Sequence, residues 1–456
     1  MKTLFAHVDI LVKNNGIYET LHDAYLGVDN DLIFYIGKEL PKGKFDAIKE
    51  LKDHLLIPGL VNAHGHSAMT ILRGVGSGKK LQDWLNESIF PIEAKLTPKD
   101  VEVGTQLAMC EMLASGTTTF ANMYDFPYSS ALVTAKAKMR SNICRTGLCF
   151  EPVEMKDCVR FHECLNVAKN LSGELKPDDE LERELGVKKF PICIENAVKS
   201  QLIQGVLSFH SEYLTTPKFV SETAKENRKL KLPIEFHACE TKKEVEECIQ
   251  KYGVTPIQYF YDLGVLDGGH AYAAHCVHVT NADLKILAKT GTSMVTNPSS
   301  NMKLASGFAP IRKALDLGVN VALGTDGCAS NNNLDMFEEM HVLALIQAGY
   351  NKNPGELRVS EIFDMATING AKAMHFKNLG ELKVGYKADI VAIDLSKPHL
   401  KPNLDTLSLL VYSAHGSDVD LTMVNGEILY ENGKFLTIDY DRVLKETEEI
   451  VNRLYK

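Results

Sequence analysis

The sequence predicts an α/β fold, a (β/α)8 TIM-like barrel with a small β-sandwich domain formed from both chain ends. The first observation is that short β-rich runs alternate with longer helical patterns from about Leu56 to His375, as expected for parallel strands linked by helices. The second is that both flanks alternate apolar and polar positions around turn signals, which is typical of antiparallel strands. The barrel is therefore expected in the middle of the chain.

The central region contains eight β-rich runs, separated by helical patterns such as Asp100 to Ser115 and Thr241 to Leu263. Eight strand–helix units favour a closed barrel, in which catalytic side chains lie at the C-terminal ends of the strands. In chain order the runs are LLIPGLVNAH, TTTFANM, RTGLCF, GVLSFH, LPIEFHA, HAYAAH, TSMVTN and VNVALGTD.

Each flank is too small to form a stable hydrophobic core of its own, so we expect the two flanks to pack together. Their turn signals are Asn15-Gly16, Asp29-Asn30, Asn425-Gly426 and Asn432-Gly433. The final stretch is charged and has a helical pattern. The predicted boundaries are 1–57 and 380–438 for a composite β-sandwich domain, 58–379 for the barrel and 439–456 for a C-terminal helix.

The composition excludes several classes of protein. A net charge of −9 without a basic block argues against a nucleic-acid partner. Residues 1–12 are too short and too polar for a signal-peptide core, and no segment reaches membrane-spanning length. The ten cysteines form no CxxC pair, which fits a reducing cytoplasm. We therefore expect a soluble cytoplasmic protein that binds a small molecule, with homo-oligomerisation left open.

The placement of histidines is the most informative feature of the sequence. His64, His66, His237, His275 and Asp326 all fall at the predicted C-terminal end of a strand, and these ends converge in a barrel. Imidazole and carboxylate ligands suit Zn²⁺ or Fe²⁺ better than Mg²⁺ or Ca²⁺. A single His-x-His pair is weak support, but the joint placement predicts a divalent metal site.

Glu240 follows His237 by three positions, where the strand gives way to a loop. A carboxylate there is suited to accept a proton from a metal-activated water and pass it to a substrate. The alternative is an acidic residue that only starts the next helix. His275 is either a further ligand or a hydrogen-bond partner of the attacking water.

The number of metal ions also follows from the strand ends. The fourth run, GVLSFH, ends without a lysine, whereas a two-metal site in such a barrel would have a bridging carbamylated lysine there. One ion is therefore expected. The charged segment 151–189 lengthens the third connection and is either a solvated insertion or a lid over the barrel mouth.

Four motifs resemble the amidohydrolase superfamily, and within it the 5′-methylthioadenosine/S-adenosylhomocysteine deaminases. The resemblance extends to the return strand GYKADIV at 385–391, so it covers nearly the whole chain. Guanine deaminases and triazine chlorohydrolases are relatives of that group. The motifs are PGLVNAHGH at 58–66, HACET at 237–241, AHCVH at 274–278 and GTDGCASNN at 324–332.

The resemblance implies roles for these residues. His64, His66, His237 and Asp326 would bind the metal ion, Glu240 would shuttle the proton, and His275 would orient the hydroxide. Asp326 would also act as a base. The implied reaction is attack of a metal-bound hydroxide on C6 of an adenosine derivative, with protonation of N1 by Glu240 and loss of ammonia.

The resemblance further implies substrate contacts by Trp84, Glu93, Arg145 and His210, in addition to Glu240. Glu93 would accept hydrogen bonds from ribose hydroxyls. The chain departs from the family at 208–213, where it has SFHSEY in place of a run like GPH[AS]PY, and this change lies near the expected substrate tail.

Three alternatives stand beside adenosine-derivative deamination. The same site would suit a guanine or other heterocycle deaminase, or a triazine-type chlorohydrolase, because activated water attacks any polarised carbon. Glu240 favours an amine leaving group that needs a proton. A non-catalytic scaffold is the third alternative, and the intact ligand and proton-transfer residues argue against it.

Overall fold

A computed structural model describes residues 1–455 of the chain. Its strands are β1 (Lys2–Asn14), β2 (Ile17–Asp29), β3 (Leu32–Gly37), β4 (Ala47–Glu50), β5 (His54–Pro58), β6 (Leu60–Asn62), β7 (Thr117–Tyr124), β8 (Arg140–Arg145), β9 (Ile203–Gly205), β10 (Leu207–Ser208), β11 (Ile234–Ala238), β12 (Ala271–His275), β13 (Ser293–Thr296), β14 (Val321–Leu323), β15 (Ile390–Asp394), β16 (Val419–Val424), β17 (Glu427–Glu431) and β18 (Lys434–Phe435).

The helices lie mainly between the central strands and after β18. They are α1 (Leu81–Trp84), α2 (Phe90–Glu93), α3 (Pro98–Ala114), α4 (Pro127–Ala137), α5 (Val159–Lys169), α6 (Asp179–Leu185), α7 (Ile192–Lys199), α8 (Pro217–Leu230), α9 (Lys242–Tyr252), α10 (Pro256–Asp262), α11 (Asn281–Thr290), α12 (Pro298–Lys303), α13 (Ile311–Asp316), α14 (Met336–Asn351), α15 (Val359–Met365), α16 (Ile368–Ala373), α17 (Thr406–Tyr412) and α18 (Tyr440–Tyr455).

Strands β6 to β14 form the TIM-like barrel that the sequence predicts. They pair in parallel as two curved sheets, β6-β7-β8-β9 and β10-β11-β12-β13-β14. Only Val206 separates β9 from β10, and Ala63 N–H donates to Leu323 O at 3.0 Å to join β6 to β14. The strand ends therefore face a common centre.

Threonines begin several of the helices that return from the barrel strands. The side chains of Thr216, Thr241, Thr255 and Thr280 each accept a hydrogen bond from a backbone N–H in the first helical turn. Such caps satisfy donors that have no partner inside a helix. The single helix predicted at 241–263 is divided into α9 and α10 in the structure, because Gly253 adopts a φ of 78° and Pro256 starts a new helix.

The prediction for the third barrel strand is wrong. RTGLCF at 145–150 is mostly loop, and the strand is β8, which ends where that run begins. The sequence pattern did not predict β8 because this strand contains polar residues. Arg140 is buried in an ion pair with Asp389 at 3.0 Å, and Asn142 donates to Met374 O at 3.1 Å. Side chains that look solvent-facing are here satisfied inside the protein.

The flanking strands from both ends of the chain form one nine-stranded sheet. Its order is β18-β17-β16-β15-β5-β1-β2-β3, with β4 beside β1. The four turns predicted from Asn-Gly and Asp-Asn pairs each join antiparallel neighbours. By contrast, β1 runs parallel to β4 and β5, because these strands reach it through longer connections.

Helix α18 covers most of the predicted C-terminal helix, whose last residue, Lys456, lies outside the described residues. Segment 151–189 contains α5 and α6. Across residues 1–455, no helix has the length and apolar character needed to cross a membrane.

Candidate metal centre and active-site cleft

Four strand ends converge at the C-terminal edge of the barrel. His64 and His66 follow β6, His237 lies in β11, His275 ends β12 and Asp326 follows β14. His275 and Asp326 have backbone torsions that non-glycine residues rarely adopt, with φ of 68° and 63° respectively. Strained backbone of this kind is concentrated at functional sites, where the surrounding structure holds it.

The ring nitrogens of the three predicted histidine ligands are oriented by hydrogen bonds. In each ring Nδ1 lies next to an acceptor, so it carries the proton and Nε2 is left free to bind a cation. The three acceptors are Glu235 Oε1 at 2.7 Å from His64, Met123 O at 2.6 Å from His66 and His210 O at 2.8 Å from His237.

The free nitrogens face one another and a carboxylate. Asp326 Oδ1 lies 3.6 Å from His64 Nε2 and 3.2 Å from His66 Nε2. His64 Nε2 is buried without a hydrogen-bond partner among the described residues. Potential ligand atoms lie within 4.8 Å of one another in two groups that share His64, one with His66 and Asp326 and one with His237 and His275. A divalent cation fits this donor set.

Electrostatics favour a positive charge at the same place. Burial alone would lower the pKa of His64, but the nearby Asp326 carboxylate and the hydrogen bond to Glu235 outweigh it and raise the pKa to about 9. Burial would raise the pKa of Asp326, yet its contacts with His64 and His66 hold it well below the ordinary value. A bound cation supplies the charge that this arrangement favours.

The other oxygen of Asp326 is fixed by two hydroxyls. Ser300 and Ser330 donate to Oδ2 at 2.6 and 2.8 Å, which leaves Oδ1 to face the histidines. Just before it, Gly324 lets the backbone pass close to His64, since a Cβ there would lie 2.8 Å from His64 N. The local sequence thereby sets the aspartate at a defined distance from β6.

Glu240 and His275 lie beside the ligand set. Burial raises the pKa of Glu240 to about 8, and the nearby Asp326 adds to the rise. Burial lowers the pKa of His275 to about 4. His275 Nδ1 lies 2.9 Å from Asn301 Oδ1, while Nε2 lies 3.7 Å from Glu240 Oε2. Near neutral pH the site thus has an acid beside a neutral imidazole that can accept a hydrogen bond.

The backbone of Glu240 is held by Glu244, one turn into α9. Glu244 accepts hydrogen bonds from the backbone N–H of Cys239 at 2.6 Å and of Glu240 at 2.7 Å. It also completes a capping box with Thr241. Glu240 is therefore held in place immediately before Thr241, the residue that caps α9.

A cleft opens over these residues. Trp84, Glu93 and His210, for which substrate contacts are predicted, all line it. Tyr124 OH donates to Glu93 at 2.6 Å, and the His210 ring stacks on His237 with centroids 4.4 Å apart. Further apolar wall is supplied by Met69, Leu81, Leu85, Phe90, Leu96 and Leu304.

Arg145 is not among the residues that line this cleft. Its buried guanidinium pairs with Asp125 at 3.0 Å, Glu163 at 3.3 Å and Glu180 at 3.2 Å. Asp125 does line the cleft. The residue predicted to contact the substrate tail thus lies behind an aspartate, because helices α5 and α6 of the 151–189 segment supply the carboxylates that hold it back.

Three residues beside the site were not predicted from the sequence. Glu235 is a charged residue inside the wholly buried strand β11, and a glutamate in the run LPIEFHA was the available signal. Tyr124 and Asp125 follow the predicted end of TTTFANM, and no pattern in the sequence distinguished them from an ordinary strand end.

We expect Glu235→Gln to weaken binding of a divalent metal by about tenfold or more, because a charged partner raises the basicity of a ligating imidazole. Tyr272 OH donates to Glu235 Oε2 at 3.0 Å and fixes the carboxylate, so Tyr272→Phe serves as a milder control. Competition with a chromophoric chelator measures the affinity. Unchanged affinity in Glu235→Gln would remove Glu235 from the metal centre.

A parallel barrel with this histidine and aspartate set at its C-terminal edge defines a metal-dependent hydrolase. A model of the amidohydrolase family matches residues 55–429, and the chain belongs to that family. This membership, together with the clustered ligands, assigns a divalent metal site to the protein.

Several relatives match nearly the full chain. A 5-methylthioadenosine/S-adenosylhomocysteine deaminase from Caldanaerobacter subterraneus subsp. tengcongensis is 39% identical, covering 98% of this chain and 99% of its own. A 5′-deoxyadenosine deaminase from Methanocaldococcus jannaschii is also 39% identical, covering 97% and 98%. Among solved structures, an adenosine deaminase from Xanthomonas campestris with bound zinc superposes with a TM-score of 0.87 at 28% identity, covering 99% of this chain and 98% of its own.

Proposed function

We propose that the protein catalyses hydrolytic deamination of an adenosine derivative, such as 5′-methylthioadenosine, S-adenosylhomocysteine or adenosine, to the inosine analogue and ammonia. The observation that carries this proposal is Glu240, a buried acid with a pKa of about 8 in the wall of a cleft that is also lined by His66, His237 and Asp326. An amine leaves readily only when it is protonated, and Glu240 is placed to supply the proton. The names of the full-length relatives support the same reaction.

We assign one divalent ion to the centre, held by His64, His66, His237 and Asp326. Zinc is the preferred ion and ferrous iron the alternative, because imidazole and carboxylate donors suit both. When bound, such an ion acts as a Lewis acid that makes water nucleophilic near neutral pH. The zinc in the Xanthomonas campestris structure supports this choice.

The remaining chemistry is proton transfer by side chains. As water attacks C6 of the purine, Asp326 accepts its proton and His275 Nε2 accepts a hydrogen bond that orients it. Glu240 donates a proton to N1, takes one from the C6 hydroxyl as the carbonyl forms, and delivers it to the departing amine. The proton held by Asp326 then returns to Glu240. The Asn301 contact keeps His275 Nε2 unprotonated for this purpose.

The cleft gives the nucleoside a polar and an apolar side. Glu93 is placed to accept hydrogen bonds from the ribose hydroxyls, with Tyr124 OH fixing its carboxylate at 2.6 Å. Trp84 is held by its own Nε1–H, which donates to Val75 O at 3.3 Å, and supplies a flat wall. His210 faces the cleft beside His237.

Ribose recognition is expected to depend on pH. Burial raises the pKa of Glu93 to about 7, although the Tyr124 hydrogen bond opposes the rise. The carboxylate is charged only above this value, so the KM for ribose-containing substrates should rise as the pH falls through about 7. The KM of wild-type enzyme, measured between pH 5.5 and 8.5 (a range of roughly ±1.5 around the titration), tests this.

Two controls isolate the ribose contact. Glu93→Gln should flatten the pH dependence of KM, because its amide does not titrate in this range. With 2′,3′-dideoxyadenosine, which lacks both hydroxyls, wild type should have the same flat profile. An unaltered pH dependence in Glu93→Gln would assign the titration to another group.

We also propose how the chain divides. Residues 58–379 would form the catalytic barrel, and residues 1–57 and 380–438 one composite β-sandwich domain. A shared nine-stranded sheet and a separate apolar cluster around Phe5, Ile10 and Met423 support this division. The ten free thiols support placement in a reducing cytoplasm.

A metal-reconstituted substrate panel tests the proposed reaction. Protein loaded with Zn²⁺ or Fe²⁺ is incubated with adenosine, 5′-methylthioadenosine, S-adenosylhomocysteine, guanine and a chlorotriazine, and released ammonia is measured. We expect ammonia from at least one adenosine derivative, with loss of the adenosine absorbance band. Chloride release from the triazine alone, or no product from any compound, would refute the deaminase.

A further inference from the structure

Helix α14 carries a buried glutamate that the proposed mechanism does not use. Glu339 lies near the start of this helix, is completely buried and does not line the cleft. Its hydrogen-bond donors within residues 1–455 are neutral groups on two other segments of the chain. Burial of a carboxyl group is unfavourable unless such groups satisfy it, so its contacts indicate what it does.

Glu339 connects two segments that follow neighbouring barrel strands. Its Oε1 accepts a hydrogen bond from Asn331 Nδ2 at 2.6 Å, and its Oε2 accepts one from Ser299 N–H at 3.2 Å. Asn331 belongs to the loop after β14, and Ser299 lies in α12, which follows β13. The Asn331 amide also donates to Thr325 O at 2.8 Å. Glu339 therefore ties α12 to the loop that contains Asp326.

Both connected segments contact the carboxylate of Asp326. The hydroxyls of Ser300 and Ser330 donate to its Oδ2 at 2.6 and 2.8 Å, and each serine is next in sequence to a residue that Glu339 holds. Asp326 also has a φ of 63°, a conformation that persists only where surrounding contacts maintain it. The direction of this carboxylate thus depends on how α12 and the loop are placed relative to each other.

We propose that Glu339 is a positioning residue that fixes the direction of the Asp326 carboxylate. It holds α12 and the loop after β14 together, so that one serine from each donates to Oδ2 while Oδ1 stays directed at the histidines. This inference rests on the proposed deamination, in which Asp326 is both ligand and base. A displacement of about 1 Å at a reacting group can lower a rate by about 10²-fold, so a buried contact outside the cleft can control turnover.

Cobalt-substituted enzyme tests the inference without a substrate. Co²⁺ in the metal site has visible absorption bands that depend on the geometry of its ligands. Glu339→Leu keeps most of the side-chain volume but removes both hydrogen bonds. With Co²⁺ at saturation, we expect this variant to bind stoichiometric metal with altered bands. Glu338→Leu is the matched control, because Glu338 lies in the same helical turn but is exposed and accepts from Asn333 Nδ2 at 2.7 Å. Its spectrum should equal that of wild type.

Two further variants keep the test decisive if Glu339→Leu folds poorly. Asn331→Ala breaks the same connection from the loop side and should also alter the cobalt bands. Glu339→Gln should restore the wild-type spectrum at pH 7 (roughly one unit below the titration). Burial raises the pKa of Glu339 to about 8, so near neutral pH it carries a proton, and glutamine likewise offers one acceptor and one donor.

Steady-state kinetics with 5′-methylthioadenosine and Zn²⁺-loaded enzyme separate positioning from a general loss of structure. Glu339→Leu should lower kcat by at least about tenfold and leave KM within about threefold, because the residues assigned to the substrate are not displaced. In a Ser300→Ala/Ser330→Ala background, Glu339→Leu should lower kcat by no more than about a further threefold, because the hydroxyls that it positions are already gone.

The outcomes separate this inference from the proposed function. A wild-type cobalt spectrum in Glu339→Leu or Asn331→Ala, a rise in KM that matches the fall in kcat, or an undiminished effect in the serine-free background would overturn the positioning role. Deamination by wild type would still stand. If metal-loaded wild type releases no ammonia from any adenosine derivative, the proposed function is wrong, and the cobalt spectra still report whether Glu339 positions Asp326.

Discussion

Replacing Glu240 with glutamine will lower kcat for deamination by about 10³-fold, because a positioned general acid contributes about 10² to 10⁴. Glutamine keeps the shape of the side chain but has no proton to give to N1 or to the leaving amine. Burial holds the pKa of Glu240 near 8, so the wild-type residue retains its proton near neutral pH. Steady-state ammonia release measures kcat, and elemental analysis verifies that metal content is unchanged.

Glu212→Gln is the matched control for this variant. Glu212 is also a buried glutamate, but it does not line the cleft. Its substitution should leave kcat within a few-fold of wild type, so a similar loss in both variants would indicate a general effect of buried charge. Near-normal turnover in Glu240→Gln with full metal content would contradict the proton-transfer role.

Asp326→Asn is expected to abolish both metal retention and turnover, with a loss of at least about 10⁴-fold in kcat/KM. The substitution removes the carboxylate that faces His64 and His66 and also the base that receives the proton from water. Asparagine is a weak ligand, and its amide cannot act as a base. Metal stoichiometry after dialysis and kcat/KM with metal in excess are measured together.

A second aspartate controls for the loss of a buried carboxylate. Asp335 accepts backbone hydrogen bonds from Phe337 and Gly416 away from the cleft. Asp335→Asn should keep the metal ion and most activity, since asparagine also caps helices well. If Asp326→Asn retained stoichiometric metal and turnover within tenfold of wild type (a loss of only about 1.4 kcal/mol), Asp326 would be neither ligand nor base.

The barrel and the convergence of the reactive residues could be predicted because both depend on local patterns. Parallel strands are apolar runs, and the residue that follows such a run lies at the C-terminal edge. His237, His275 and Asp326 end runs of this kind, so their meeting follows from topology alone. The same reasoning placed Glu240 where the strand that carries His237 gives way to a loop.

Prediction failed where buried polar groups depend on distant partners. Strand β8 contains Arg140 and Asn142, whose partners are Asp389 and Met374 far along the chain, so its sequence did not look like a buried strand. The pairing of Arg145 with carboxylates of the 151–189 segment was likewise not predicted. Neither arrangement leaves a periodic signal in the sequence.

Residues that orient the reactive groups could not be predicted from a local sequence pattern either. Glu235 contacts His64 across the barrel, at a separation of 171 residues. Such contacts are set by the closed barrel, and they become visible when the strand ends are placed in space.

Deamination of 5′-methylthioadenosine in H₂¹⁸O by zinc-loaded enzyme, followed by mass spectrometry of the product, tests the central claim most directly. The account predicts the methylthioinosine product with one ¹⁸O atom at C6 and an equal amount of ammonia, since the nucleophile is solvent water. Release of free adenine, a product without the label, or an unchanged nucleoside in the presence of stoichiometric metal would contradict it.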